Sequence, residues 1–304
     1  MTSRRVGLTV LLAALATSSP TAQVFRAGID TVVLSVSVTD ARNRPLTQIS
    51  RDDFRVFEDG ILQDISVFTR DRQPVALSLM IDSSTSMEGK LKVAQEAAIG
   101  FARRLGPNDV AQVVDFNRDT RIRHVFTSDV TALERAIREI RAGGSTALYT
   151  ALYIAMAELT RVGSASADHL RRQALVVLSD GEDTGGLKSY DDVADLAKRS
   201  DVMIYAIGLR DKESDEPRRF SQADFALRTL SQLTGGRVFF VSDVRQLASI
   251  YGQIADELAT QFVIGYSPKN MKRDGAWRQI NVRVNQPEAT ARTRAGYFGP
   301  TRRR

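Results

Sequence analysis

An aspartate and two serines alternate in Asp82-Ser83-Ser84-Thr85-Ser86, directly after the apolar run Ala76 to Ile81. A carboxylate and hydroxyls on one loop are hard oxygen donors, the chemistry of a magnesium, manganese or calcium site; without His or Cys they give zinc little to hold. Asp-x-Ser-x-Ser alone is a weak signal, and each such residue taken singly reads as a helix cap or a turn former. Two further loops carry matching groups. Gly143-Gly144-Ser145-Thr146 precedes a helical stretch, and Ser179-Asp180-Gly181-Glu182-Asp183 follows an apolar run.

For these loops to meet, they must lie at one edge of one sheet. From Pro74 onward, strand-like runs alternate with helical periodicity, the pattern of a largely parallel sheet covered on both faces. The strands are expected at Val75 to Ile81, Val110 to Phe116, Arg121 to Phe126, Ala174 to Ser179, Val202 to Gly208 and Arg237 to Val241. Helices are expected near Leu91 to Leu105, Val130 to Ile140, Ala147 to Arg161, Asp191 to Arg199, Ala223 to Gln232 and Val244 to Ala259. Asn117 to Thr120 is too short for a crossover helix, so Arg121 to Phe126 is an antiparallel edge strand. Open α/β sheets bind ligands at the carboxyl ends of their strands, where all three loops fall.

Both ends of the chain alternate with a period of two. Val32, Leu34, Val36 and Val38 form one strand; Phe54 and Val56 enter a hairpin at Asp59-Gly60, with Ile65, Val67 and Phe68 on the way out. Phe262, Ile264 and Tyr266, then Ile280, Val282 and Val284, then Ala295 to Phe298 follow the last helix. Neither end alone buries two faces, so the two are expected to form one sandwich, with two separate small units as the alternative. The fold class is α/β: a Rossmann-like doubly wound sheet, mostly parallel with one antiparallel edge strand, plus a small β-sandwich-like unit from both chain ends. The expected divisions are a signal peptide at 1–22, a β segment at 23–73, the α/β domain at 74–259 and a second β segment at 260–304.

Asp82, Ser84, Ser86, Thr146 and Asp180, in this order and on these loops, resemble the metal-ion-dependent adhesion site of the von Willebrand factor type A family. The likeness covers about Val75 to Ala259. The flanking Asp52-Asp53-Phe54, Glu58-Asp59-Gly60, Gly265-Tyr266 and Ala295-Gly296-Tyr297-Phe298 resemble a bacterial group of exported A-domain-related proteins. One departure is Thr150, where many relatives carry an aspartate. The resemblance implies that Ser84, Ser86 and Thr146 touch the ion, with Asp82 and Asp180 acting mainly through bound waters and hydrogen bonds. Oxygen-donor chemistry makes Mg2+ the first choice, with Mn2+ or Ca2+ as substitutes; the resemblance, through those neutral hydroxyl ligands, implies a protein partner presenting an Asp or Glu carboxylate. It also implies that the last helix can shift when the site is occupied.

The resemblance implies metal-dependent protein binding or adhesion, and the remaining features give catalysis little support. There is no Gly-x-Ser-x-Gly elbow and no phosphate-binding Gly-x-x-x-x-Gly-Lys-Ser/Thr loop, and the two histidines, His124 and His169, sit on an expected edge strand and in a polar loop. A metal-independent scaffold and an exported hydrolase are the alternatives. Glu182 and Asp183 read as solvated, and Tyr149, Trp277, Tyr266 and Phe298 as packing residues.

Composition is that of a globular chain, 43% hydrophobic and 26% charged. The net charge of +6 includes Arg4, Arg5 and Arg302 to Arg304, and the other basic residues are interspersed with acids, so no nucleic-acid footprint is formed. Arg4 and Arg5 before the apolar run Val6 to Ala16, then small and polar residues to Gln23, have the layout of a signal peptide, expected to be cleaved, with an uncleaved anchor as the rival reading. No later run is long enough for a membrane span, so the mature chain is expected to be secreted or periplasmic without stable membrane insertion. The absence of cysteine excludes disulfides, lipoprotein attachment and thiolate chemistry.

Overall fold

The structure, a computed structural model, describes residues 31–165, 171–181, 183–210 and 222–301. The expected signal peptide, His169 and Glu182 lie outside the described residues.

The central sheet contains β5 (Val75–Asp82), β6 (Val110–Phe116), β7 (Thr120–Thr127), β8 (Arg172–Ser179), β9 (Val202–Leu209) and β10 (Val238–Val241). Their spatial order is β10-β9-β8-β5-β6-β7, and every pair is parallel except β6 with β7. The antiparallel edge is the one expected from the short Asn117 to Thr120 connection.

β5 shows why the inner strands are largely apolar. Val75, Leu77, Leu79 and Ile81 pack against α1 (Leu91–Ala102), α2 (Val130–Arg138) and α6 (Leu247–Ala259). Ala76 and Met80 face the opposite layer, made by α3 (Leu148–Ala165), α4 (Tyr190–Arg199) and α5 (Gln222–Thr234). A strand covered on both faces has no polar side to present, and its periodicity of two disappears.

Before and after this body lie β1 (Val32–Thr39), β2 (Phe54–Glu58), β3 (Ile61–Gln63), β4 (Ile65–Thr69), β11 (Phe262–Tyr266), β12 (Trp277–Val284), β13 (Thr290–Arg292) and β14 (Gly296–Phe298). They form two four-stranded antiparallel sheets, β13-β1-β11-β4 and β14-β12-β2-β3. Leu34, Val36, Phe54, Val56, Phe262, Ile264, Ile280 and Val282 fill the space between them. The two chain ends thus share one core, as their half-buried alternation required.

The hairpin differs from its expected course. Its return strand is only β3, with Leu62 opposite Phe57, and β4 leaves to pair with β11 in the other sheet, with Phe68 opposite Ile264. The physical reason is aromatic packing: Phe68 lies 5.6 Å from Phe54 and 5.8 Å from Phe262 between ring centroids. Continuing the hairpin would remove Phe68 from that cluster.

The flanking motifs meet at one buried carboxylate. Glu58, 1% exposed, accepts hydrogen bonds from the hydroxyls of Tyr266 at 2.7 Å and Tyr297 at 2.9 Å, with the buried Arg278 guanidinium 3.5 Å away. These residues knit the β unit internally. The junction with α6 is also polar: Glu257 accepts from the Tyr205 hydroxyl at 2.7 Å and from Arg292 at 2.6 Å, while Gln261 donates to Ser37 at 3.0 Å. Among the described residues, no helix is long and apolar enough to cross a membrane.

Candidate metal centre

β5 and β8 are neighbours, and the sheet order reverses between them: β6 lies beyond one and β9 beyond the other. The loops leaving them therefore open into the crevice where open sheets bind ligands. Asp82 is the last residue of β5 and is fully buried. Its Oδ1 accepts from the Ser84 amide at 2.8 Å, which turns the loop, and its Oδ2 accepts from the Ser179 hydroxyl at 2.6 Å. Ser179 ends β8 and so ties the two strand ends together.

Ser84 and Ser86 place their hydroxyl oxygens 3.0 Å apart. Ser84 is 2% exposed and Ser86 lies at the solvent-facing rim. The Ser86 hydroxyl donates to Asp180 Oδ1 at 2.6 Å, so the first and third loops are in direct contact. Asp180 Oδ2 receives the Lys90 ammonium at 2.7 Å.

The second loop is held from both sides. Gly144 has φ of +86°, a conformation that favours glycine, and its carbonyl accepts from the Thr85 amide at 3.0 Å and the Thr85 hydroxyl at 3.1 Å. Thr146, 5% exposed, is bound to Thr184 beyond Asp180: the Thr146 amide donates to Thr184 Oγ1 at 3.0 Å, and the Thr184 amide donates to the Thr146 carbonyl at 2.8 Å. Asp82, Ser84, Ser86, Thr146 and Asp180 are thereby gathered at one sheet edge.

Two observations test whether these residues fit a divalent cation. Asp82 is a buried carboxylate whose bonded partners are all neutral, and burial pushes its carboxyl above the ordinary range against the opposing bonds from Ser179 and Ser84. A nearby cation would supply the missing counter-charge. The second is Gly181, where a Cβ would stand 3.4 Å from Thr146 Oγ1 and 4.0 Å from Ser86 Oγ. The absent side chain leaves the space beside these hydroxyls clear. The donor set fits.

Thr150, the departure from the family pattern, accepts from the amides of Leu187 at 2.8 Å and Lys188 at 3.1 Å. Its hydroxyl anchors the loop that follows Asp180. Asp183 is not simply solvated as expected: its Oδ1 accepts from the Tyr149 amide at 3.1 Å, in the first turn of α3. Tyr149 is buried, and Trp277 packs edge-on against Phe298 at 5.1 Å. His124 bonds the carbonyl of its neighbour Val125 on the edge strand.

Sequence reading missed Lys90, Ser179 and Thr184. Ser179 had a local clue in its place beside Asp180. The partners of Lys90 and Thr184 are 90 and 38 residues away, and no spacing rule announces them.

A family model described as the von Willebrand factor type A domain matches residues 77–253, more than half of the chain. The chain belongs to the von Willebrand factor type A family. Relatives of this A-domain chain include a UPF0353 protein of Mycolicibacterium gilvum, 24% identical over 223 residues, covering 67% of each chain. Another, from Mycolicibacterium vanbaalenii, is 23% identical over 241 residues and covers 73% of this chain and 71% of its own. The fold is shared with a von Willebrand factor type A protein from Catenulispora acidiphila at a TM-score of 0.50 and 13% identity, covering 88% of this chain and 74% of that one. Mussel byssus proximal thread matrix protein 1, solved with a zinc-occupied MIDAS motif, matches at a TM-score of 0.50 and 15% identity over 64% of this chain and 49% of its own. A domains commonly bind a divalent metal, and they generally serve as interaction modules rather than enzymes.

Proposed function

We propose that this A domain is a metal-ion-dependent protein-binding or adhesion module of an exported protein. The observation that carries this reading is the gathering of five oxygen-bearing residues, among them a buried Asp82 whose bonded partners are all neutral, at the switch point of the sheet. Ser84, Ser86 and Thr146 would hold the ion directly, and Asp82 and Asp180 would orient bound waters and neighbouring hydroxyls. When bound, the ion supplies a Lewis-acidic position that accepts an Asp or Glu carboxylate from a protein partner. Neutral hydroxyl ligands leave the ion's charge largely unquenched for that carboxylate.

Magnesium is the first choice on oxygen-donor chemistry, with manganese and calcium as alternatives. The zinc-occupied MIDAS of proximal thread matrix protein 1 makes zinc a necessary comparison. Export rests on the layout of residues 1–22 and places the partner in the envelope or the medium.

The test compares the wild-type chain with Ser84→Ala, first by calorimetric titration with each ion and then by capture from native envelope and medium fractions with magnesium or chelator. The expected result is ion binding by the wild type and a partner retained only with magnesium and intact Ser84. Equal capture by both proteins with and without chelator overturns the reading.

A further inference from the structure

Asp180 carries more than its share of the candidate centre. One carboxylate oxygen receives the hydroxyl of Ser86, one of the three candidate ion ligands, and the other receives the ammonium of Lys90 at 2.7 Å. The Asp180 side chain is 1% exposed and that of Lys90 is 22% exposed, so this pair is shielded from bulk solvent far more than an ordinary surface bridge.

The placement of Lys90 is built into the loop. The Ser84-to-Lys90 segment turns through a single 3-10 turn, Thr85–Met87, and fully buried Met87 plugs it into the core beneath α1. The Lys90 amide closes the turn by donating to the Met87 carbonyl at 2.9 Å, and its own carbonyl accepts from the Ala94 amide at 3.1 Å in the first turn of α1. The side chain thus starts from a fixed backbone, four residues beyond Ser86, and ends on the carboxylate that Ser86 also contacts.

We propose that Lys90 is a resident counter-cation of this site, which stabilises its ion-free form and weakens its affinity for a divalent ion. The proposal rests on the metal reading above. Two cations that share one carboxylate divide its charge and repel each other, and the repulsion is strongest where water is partly excluded. Without a divalent ion the same ammonium offsets the burial of Asp180 and keeps the third loop against the first. An internal ammonium therefore narrows the difference between the loaded and unloaded states, which suits a site whose occupancy responds to the surrounding ion concentration.

The test titrates the full chain with Mg2+ alone and Mn2+ alone by calorimetry and measures melting in chelator. Lys90→Met keeps the aliphatic stem and removes the charge; Lys90→Gln is read in its place if that variant does not fold. Loss of the charge is expected to tighten ion binding by roughly 3- to 10-fold and to lower the melting temperature in chelator, with Lys90→Arg remaining within about twofold of wild type. Wild-type or weaker ion affinity in a folded Lys90→Met, with the wild type binding normally, overturns the role of Lys90 and leaves the metal reading intact. Failure of every protein to bind any ion overturns both.

Discussion

Thr146 and Thr184 grip each other through backbone and side chain at once. The Thr184 hydroxyl accepts from the Thr146 amide at 3.0 Å and donates to its carbonyl at 3.3 Å, beside the 2.8 Å bond from the Thr184 amide. A candidate ion ligand on the second loop is therefore set by a residue on the third. Thr184→Val is expected to cost about 1–2 kcal/mol of stability and to weaken divalent binding, whereas Thr184→Ser restores both. Thermal melting and calorimetry check this; unchanged ion affinity in Thr184→Val would show that Thr146 needs no such brace.

Asp82 separates ion binding from fold stability. Asp82→Asn keeps an acceptor for the Ser84 amide and an amide group facing the Ser179 hydroxyl, while removing a buried charge. In chelator the variant is expected to melt no lower than wild type. Saturating magnesium, which at a hundredfold excess over Kd adds about 2.7 kcal/mol to a binding protein, is expected to add nothing to it. A variant that still gains stability from magnesium would remove Asp82 from the site.

Alkaline titration reads three buried tyrosines and the half-buried Tyr297. Burial raises the hydroxyls of Tyr205, Tyr251 and Tyr266 and pushes Tyr297 up to about 12, with Glu58 reinforcing the shift at Tyr266 and Tyr297. The folded chain keeps these protons where the unfolded chain has lost them. Their contribution is complete below the unfolded value near 10 and is lost as pH rises through the folded values. Tyrosinate absorbance from these four is expected to appear with unfolding, and their ionisation in a still-folded protein at pH about 10 would contradict the assignment.

The α6 junction gives a test of communication. Glu257 on α6 binds both Tyr205 of the central sheet and Arg292 of β13, so a displacement of this helix on ion binding would strain the β unit. Such coupling predicts that saturating magnesium changes hydrogen-exchange protection in β1 and β13 by at least severalfold. Unchanged protection there, with ion binding demonstrated in the same sample, excludes it.

The residue pattern alone determined which oxygen donors the candidate site offers and at which edge of the sheet their loops fall. Each of Asp82, Thr146 and Asp180 lies within a few residues of a strand end or helix start, so local periodicity suffices to put their loops at one edge. Both β ends were legible for the same reason, since alternation requires a cover for one face. Tertiary structure alone decided the contacts that brace the donors, Lys90 on Asp180, Ser179 on Asp82 and Thr184 on Thr146, and it sent β4 across to the opposite sheet. Those choices depend on which surfaces close against each other, through side chains 38 to 97 residues apart in the site and through the Phe54, Phe68 and Phe262 cluster in the sandwich. A local pattern specifies the face that must be buried; the partner that buries it is selected only when the whole chain packs.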